Sequence, residues 1–231
     1  MKAAAPMAAL GRGAAKAETR AQPIARKTGP IVTTDQPTQP NTRITAEGSD
    51  TQLRDAWPHL HPLAELRPAI TDARLRAMLD HWLAARGNAA MPAWKDIDPL
   101  QLGPLLPHIW SLRYDRADDS FTGRLSGEEV NAIFGKSLRQ TRMEDFFAPA
   151  DVPWIHERCL RIIATPCIAL VSGPVYGYTG RYGRGSRIML PLGEDRATGD
   201  EVIGATVYRM HPPGTAISEL LAVEQVTYYA L

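Results

Sequence analysis

TGRLSGEEVNAIFG, residues 122 to 135, changes its hydrophobic period partway through. Up to Ser126 the spacing is even, with Phe121 and Leu125 on either side of Gly123. Beyond it Val130, Ile133 and Phe134 sit three and four apart. Period two is the repeat of a strand, and 3.6 is the repeat of a helix. Ser126 and Glu129 stand in the S-x-x-E relation of a capping box, in which each side chain satisfies a backbone N–H at the helix start. The stretch therefore predicts a strand running straight into a short helix that ends at Gly135.

Upstream, HIWSLRYD (108–115) alternates and is joined by the turn-prone RADDS to the strand SFTGRL, which predicts an antiparallel hairpin. TDARLRAMLDHWLAARGN reads as a helix capped by Thr71 or Asp72 and closed by Gly87, with Leu75, Met78, Leu79, Trp82 and Leu83 in one stripe. Between these, MPAWKDIDPLQLGPLLP has room for one helical turn after Asp98. Downstream, Asp151 is placed to cap a second long helix, with Pro153 in its first turn and Ile155, Cys159, Ile162 and Ile163 as its stripe. Three strand candidates follow at 167–180, 185–192 and 201–210. No helix separates them, so the sheet is expected to be largely antiparallel. The fold class is α/β of the α+β kind: five strands, helices on one face, and an N-terminal flanking helix.

The ends read differently. Residues 1–50 hold few large apolar residues and no sustained period, which predicts a disordered arm. Residues 1–30 carry six Lys/Arg against the single acid Glu18, so with a net charge of +1 the rest of the chain is mildly acidic. Residues 51–70 are transitional, residues 71–212 form the domain, and residues 213–231 are left as a tail. No apolar run approaches the ~20 residues of a membrane helix, and MKAAAPMAALGRG is too weakly apolar for a signal peptide. Cys159 and Cys167 are too few for a disulfide framework, so a reducing cytoplasm is the expectation.

The order of elements and several local phrases resemble a bacterial family of single PAS-domain proteins. The phrases are HWLAARG (81–87), WKDIDPLQLGPLLPHIW (94–110), GRLSGEEVNAIFG (123–135), RIMLPLGED (187–195) and DEVIGATVY (200–208). Where that family usually shows a D/E-L-T-G turn after the short helix, this chain has KSLRQTRME. The resemblance implies a PAS fold and a noncatalytic sensory or regulatory role, exercised through a small-molecule ligand or a signalling protein partner. It also implies that the N-terminal helix packs across the sheet or forms a homodimer interface. The implied ligand pocket lies between the strands and the helices at 127–134 and 151–164. Its expected lining is Trp110, Phe134, Ile155, Cys159, Met189 and Tyr208.

Competing motifs are weak. GKS at 135–137 lacks the earlier glycine of a phosphate loop, since that position is Val130. GYTGRYGRG (177–185) reads as a hairpin loop. His156 and Cys159 stand at i,i+3 with no orienting third group, and an isolated His156 is a surface residue rather than a haem ligand. His59 and His61 lack further metal ligands. The paired carboxylates Asp118-Asp119, Glu128-Glu129, Glu144-Asp145 and Glu194-Asp195 sit in turns or first helical turns, where they complement helix dipoles. No catalytic constellation and no cofactor is identified, so the chain is not read as an enzyme. A nucleic-acid-associated protein using the basic arm is the alternative, with no basic stripe visible in the body. A protein beginning at residue 52 should keep the full-length melting temperature within a few degrees; a collapse would show that the arm packs.

Overall fold

The computed structural model describes residues 59–176, 183–210 and 224–231. The arm, and residues 177–182 of the glycine-rich loop, lie outside the described residues. In chain order the elements are β1 (Leu60–His61), α1 (Leu63–Ala69), α2 (Ala73–Arg86), a 3-10 turn at Trp94–Asp96 and α3 (Pro99–Leu102). A second 3-10 stretch (Gly103–His108) leads into β2 (Ile109–Asp115), β3 (Ser120–Ser126), α4 (Glu128–Phe134), α5 (Met143–Phe146) and α6 (Val152–Ala164). Four strands complete the described chain: β4 (Cys167–Tyr176), β5 (Gly183–Leu192), β6 (Glu201–Met210) and β7 (Gln225–Ala230).

They form one sheet in the order β1-β7-β4-β5-β6-β2-β3. Every neighbouring pair is antiparallel except β1 with β7. The five expected strands are its contiguous core. The sheet has seven strands rather than five, because both flanking segments add to it. β7 comes from the stretch read as a tail and pairs along β4 from Cys167 to Ser172. β1 comes from the transitional segment and pairs with Tyr228 and Tyr229.

Helices cover both faces of the sheet. On one face α2 buries Leu75, Met78, Leu79 and Trp82 against Ile188, Leu190, Leu192, Ile203 and Ala205. Asp72 caps this helix by accepting the Arg74 N–H, and the Trp82 indole donates to the Pro191 carbonyl at 2.9 Å. The stripe expected to serve either the sheet or a homodimer is thus buried in its own chain. A dimer through it would require α2 to leave the sheet. On the other face α4, α5 and α6 pack Val130, Met143, Ile155, Cys159 and Ile162 against Trp110, Leu112, Ala169, Val171, Met189 and Val202.

The strand-to-helix joint forms where expected, with different chemistry. Ser126 is still in the ladder, paired with Trp110, and the N-cap is Gly127. The Gly127 N–H donates to the Ile109 carbonyl at 2.8 Å. A Cβ at Gly127 would run into the carbonyls of Leu106 and Pro107, so only glycine fits that corner. The capping box is not made. The Ser126 hydroxyl donates to the Asn131 side-chain oxygen, and the Glu129 carboxylate accepts from the Tyr208 hydroxyl at 3.0 Å. The cap fell one residue later because the ladder to β2 holds Ser126 in strand geometry. Asp151 is the N-cap of α6, but its carboxylate accepts from the Trp154 indole at 3.3 Å instead of capping a backbone N–H.

β7 is part of the core. Tyr229 is 4% exposed, the Arg161 guanidinium lies 3.6 Å from the centroid of the Tyr228 ring, and Arg158 pairs with Glu224 at 2.7 Å. Ending the chain at residue 212 should cost at least about 2–3 kcal/mol from lost apolar burial, read as a lower urea midpoint. An unchanged midpoint would mean that β7 contributes nothing to the fold.

Candidate functional site

A small internal cavity lies between the inner face of the sheet and α4 to α6. The sheet contributes Trp110, Leu112, Tyr176, Arg187 and Met189, α4 contributes Val130 and Phe134, and α6 contributes Ile155, Arg158 and Cys159. Leu138, Phe146 and Phe147 close it from the segment between the helices. The Phe134 ring meets Phe146, Phe147 and Tyr176 nearly edge to face, with centroids 5.8, 5.6 and 6.1 Å away. That arrangement suits aromatic quadrupoles. The free space is about 30 Å³. It is enough for one or two waters, where small-molecule pockets run to about 300–1,000 Å³. In this conformation side chains fill nearly all of the space.

Five of the six expected lining residues are brought together here: Trp110, Phe134, Ile155, Cys159 and Met189. Tyr208 is not among them. It lies further along β6, where its ring meets the edge of Tyr176 at 5.1 Å, so Tyr176 stands between it and the cavity.

Two arginines that the sequence reading passed over are in the wall. Arg187 is 8% exposed; its Nε donates to Thr206 Oγ1 at 2.9 Å and its Nη2 to the Val175 carbonyl at 2.7 Å. Its guanidinium carbon lies 5.7 Å from the Trp110 ring centroid and 5.4 Å from that of Tyr176. The Trp110 indole donates to the same Thr206 hydroxyl oxygen at 3.0 Å, using its second acceptor position. A Cβ at Gly204 would overlap the Trp110 ring, so glycine lets the indole lie against the β6 backbone. The signal for Arg187 was present: with Ile188 and Leu190 on one face, Arg187 must share the other with Met189. Arg158 follows from α6 geometry, three residues after Ile155 and beside Cys159.

The chemistry of the remaining groups is quiet. Burial pushes the Cys159 thiol up to about 12, and Cys167 likewise, so neither forms a thiolate nucleophile near neutrality. His156 lies outside the cavity lining and meets the Asp119 carbonyl at 3.0 Å. Glu201 is buried, and desolvation raises its carboxyl above the usual range against the pull of Arg124, 2.9 Å away. It lies among the residues of the α2 face, remote from the cavity, because Glu201 alternates with Val202. Among the described residues no group of three His, Cys, Asp or Glu could hold a metal ion, and no helix is long and apolar enough to cross a membrane.

A family model described as PAS domain matches residues 70–207, more than half of the chain. The chain belongs to the PAS domain family. No match was found among curated proteins or among solved structures. The PAS span runs from Ile70, the residue after α1, into β6, so it contains the cavity and leaves out β1, α1 and β7.

The buried thiols make a pH prediction. The thiols of the unfolded chain ionise near 9.0 and those of the folded PAS domain near 12. Above pH 9 the folded state therefore holds more protons than the unfolded, and stability falls as pH rises. Urea midpoints should decline as pH rises above 9, less steeply in Cys159→Ala. Both thiols should resist a thiol reagent until the protein unfolds.

Proposed function

We propose that this PAS domain is a noncatalytic sensory or regulatory module whose signal is generated at the cavity between the sheet and α4 to α6. The observation that carries this reading is the composition of the wall. It is apolar and aromatic throughout, with only Arg158 and Arg187 as charged groups. Such a wall suits a small hydrophobic or amphipathic ligand carrying a hydrogen-bond acceptor. Because the free space is near 30 Å³, the occupied state requires repacking of the aromatic cluster around Phe134. The ligand would then select a more open arrangement from the ensemble.

α6 is suited to carry that change outward. One of its side chains, Arg158, both lines the cavity and pairs with Glu224, which immediately precedes β7. One turn on, Arg161 stacks on Tyr228 of β7. Displacement of α6 would therefore strain β7, and a signalling protein partner would read that side of the sheet.

Mass spectrometry of a denatured extract of purified protein tests the ligand. Under the proposal a small molecule is released from the wild type, and Cys159→Phe stays folded while releasing none. If the wild type releases nothing and Cys159→Phe only destabilises, by about 1–3 kcal/mol as in an overpacked solid core, the ligand-sensing reading fails and a partner-binding scaffold replaces it.

A further inference from the structure

Along the β2–β3 hairpin four arginines surround a second, open groove. Its lining includes Arg113, Arg116, Arg124 and Arg139, with Thr122 and Gln140 as neutral donors, and Asp115 is the single carboxylate. The sequence showed no basic stripe because these arginines come from β2, a turn, a strand bulge and a loop. Strand register assembles them. Arg113 stands directly opposite Thr122, while the register shift after Ser111 leaves Arg124 as the extra residue of β3. Isolated bridges from Gly123 to Arg139 and from Thr122 to Arg142 then fold the loop onto the edge of β3. The Gln140 N–H donates to the Gly123 carbonyl at 2.7 Å, so the loop is tied to the groove floor.

The four cations are not equivalent. Arg124 is held in place: its Nη1 donates to Glu201 at 2.9 Å and its guanidinium lies 4.1 Å from the Trp94 ring centroid. Arg116 donates to the Gly199 carbonyl at 2.7 Å and lies over the Tyr114 ring. The side chains of Arg113 and Arg139 are exposed and make no hydrogen bond or ion pair among the described residues. Two unpartnered guanidiniums beside a fixed one leave a local excess of positive charge in a concave surface, which concentrates anions. Guanidinium forks match the paired oxygens of phosphate, and charge-assisted bonds of this type are about twice as strong as neutral ones.

We propose that this groove binds a small phosphorylated molecule, with Arg113 and Arg139 holding the phosphate and Arg124 orienting it. The groove measures about 690 Å³, the size of a small-molecule site rather than of a single ion or an extended polymer. It shares no lining residue with the cavity, so the site stands or falls independently of ligand sensing there.

Pyrophosphate is the probe, titrated calorimetrically into the full-length protein. The expected result is saturable binding that weakens by about tenfold or more in the double variant R113Q/R139Q. That variant should melt as the wild type does, since neither side chain has a partner to lose. The control R184Q/R209Q removes two other exposed arginines, opposite each other on β5 and β6, and should leave affinity unchanged. The proposal is overturned by absence of saturation, or by pyrophosphate binding that survives in R113Q/R139Q and so belongs to the basic arm. It is equally overturned if a short DNA duplex or an acidic peptide binds through these arginines while pyrophosphate does not.

Discussion

Helices on both faces leave the central strands no solvent side, and most of the architecture follows from that constraint. In β5, Ile188, Leu190 and Leu192 enter the core beneath α2, while Met189 belongs to the core beneath α6. In β6, Ile203 and Ala205 go one way and Val202 the other. A one-residue slip of either strand would exchange these sets, and in β5 it would also drive the Arg187 side chain into the α2 interface. Register is therefore specified by two cores at once. The Trp110 and Arg187 donors meeting on Thr206 Oγ1 add a polar lock across β2, β5 and β6.

That lock also shapes the cavity. A buried guanidinium in an apolar wall is tolerable only when its donors are satisfied. Thr206 and the Val175 carbonyl supply acceptors, and the faces of Trp110 and Tyr176 supply electrostatic contact. Arg187 is thereby held at the floor, while the roof combines the short helices α4 and α5, the longer α6 and a cluster of aromatic rings. The floor is tied by buried hydrogen bonds, while the roof adds to its packing only bonds at its margins, from Glu129 to Tyr208 and from Arg158 to Glu224.

The strands outside the PAS span solve an edge problem. Without β7, β4 would present unpaired backbone groups along its outer side, which invites association with other chains. β7 covers them from Cys167 to Ser172, and β1 in turn pairs part of β7. At the opposite edge the segment 138–142 bridges onto β3, and it is this cover that brings Arg139 and Gln140 to the arginine groove. The segment 138–142 thus joins edge protection to both candidate sites, giving Leu138 to the cavity and Arg139 and Gln140 to the groove.

The sequence by itself determined the elements whose signals are local. Hydrophobic period marked β2 to β6, α2 and α6, because a face buried at period two or 3.6 must repeat along the chain. The PAS resemblance, rather than periodicity, named a pocket lining, and the structure gathers five of its six residues, Trp110, Phe134, Ile155, Cys159 and Met189, around one cavity. What the sequence did not determine depends on partners distant along the chain. QVTYYA becomes a strand only because β4 offers an edge, and Tyr208 leaves the cavity because Tyr176 stands in between. Ser126 caps nothing because β2 holds it in the ladder. The Arg187 lock requires Thr206, nineteen residues away, and the groove requires strand pairing and a bulge to gather arginines from four segments. Burial periodicity is written residue by residue, whereas register, edge pairing and charge convergence exist only after the chain has closed on itself.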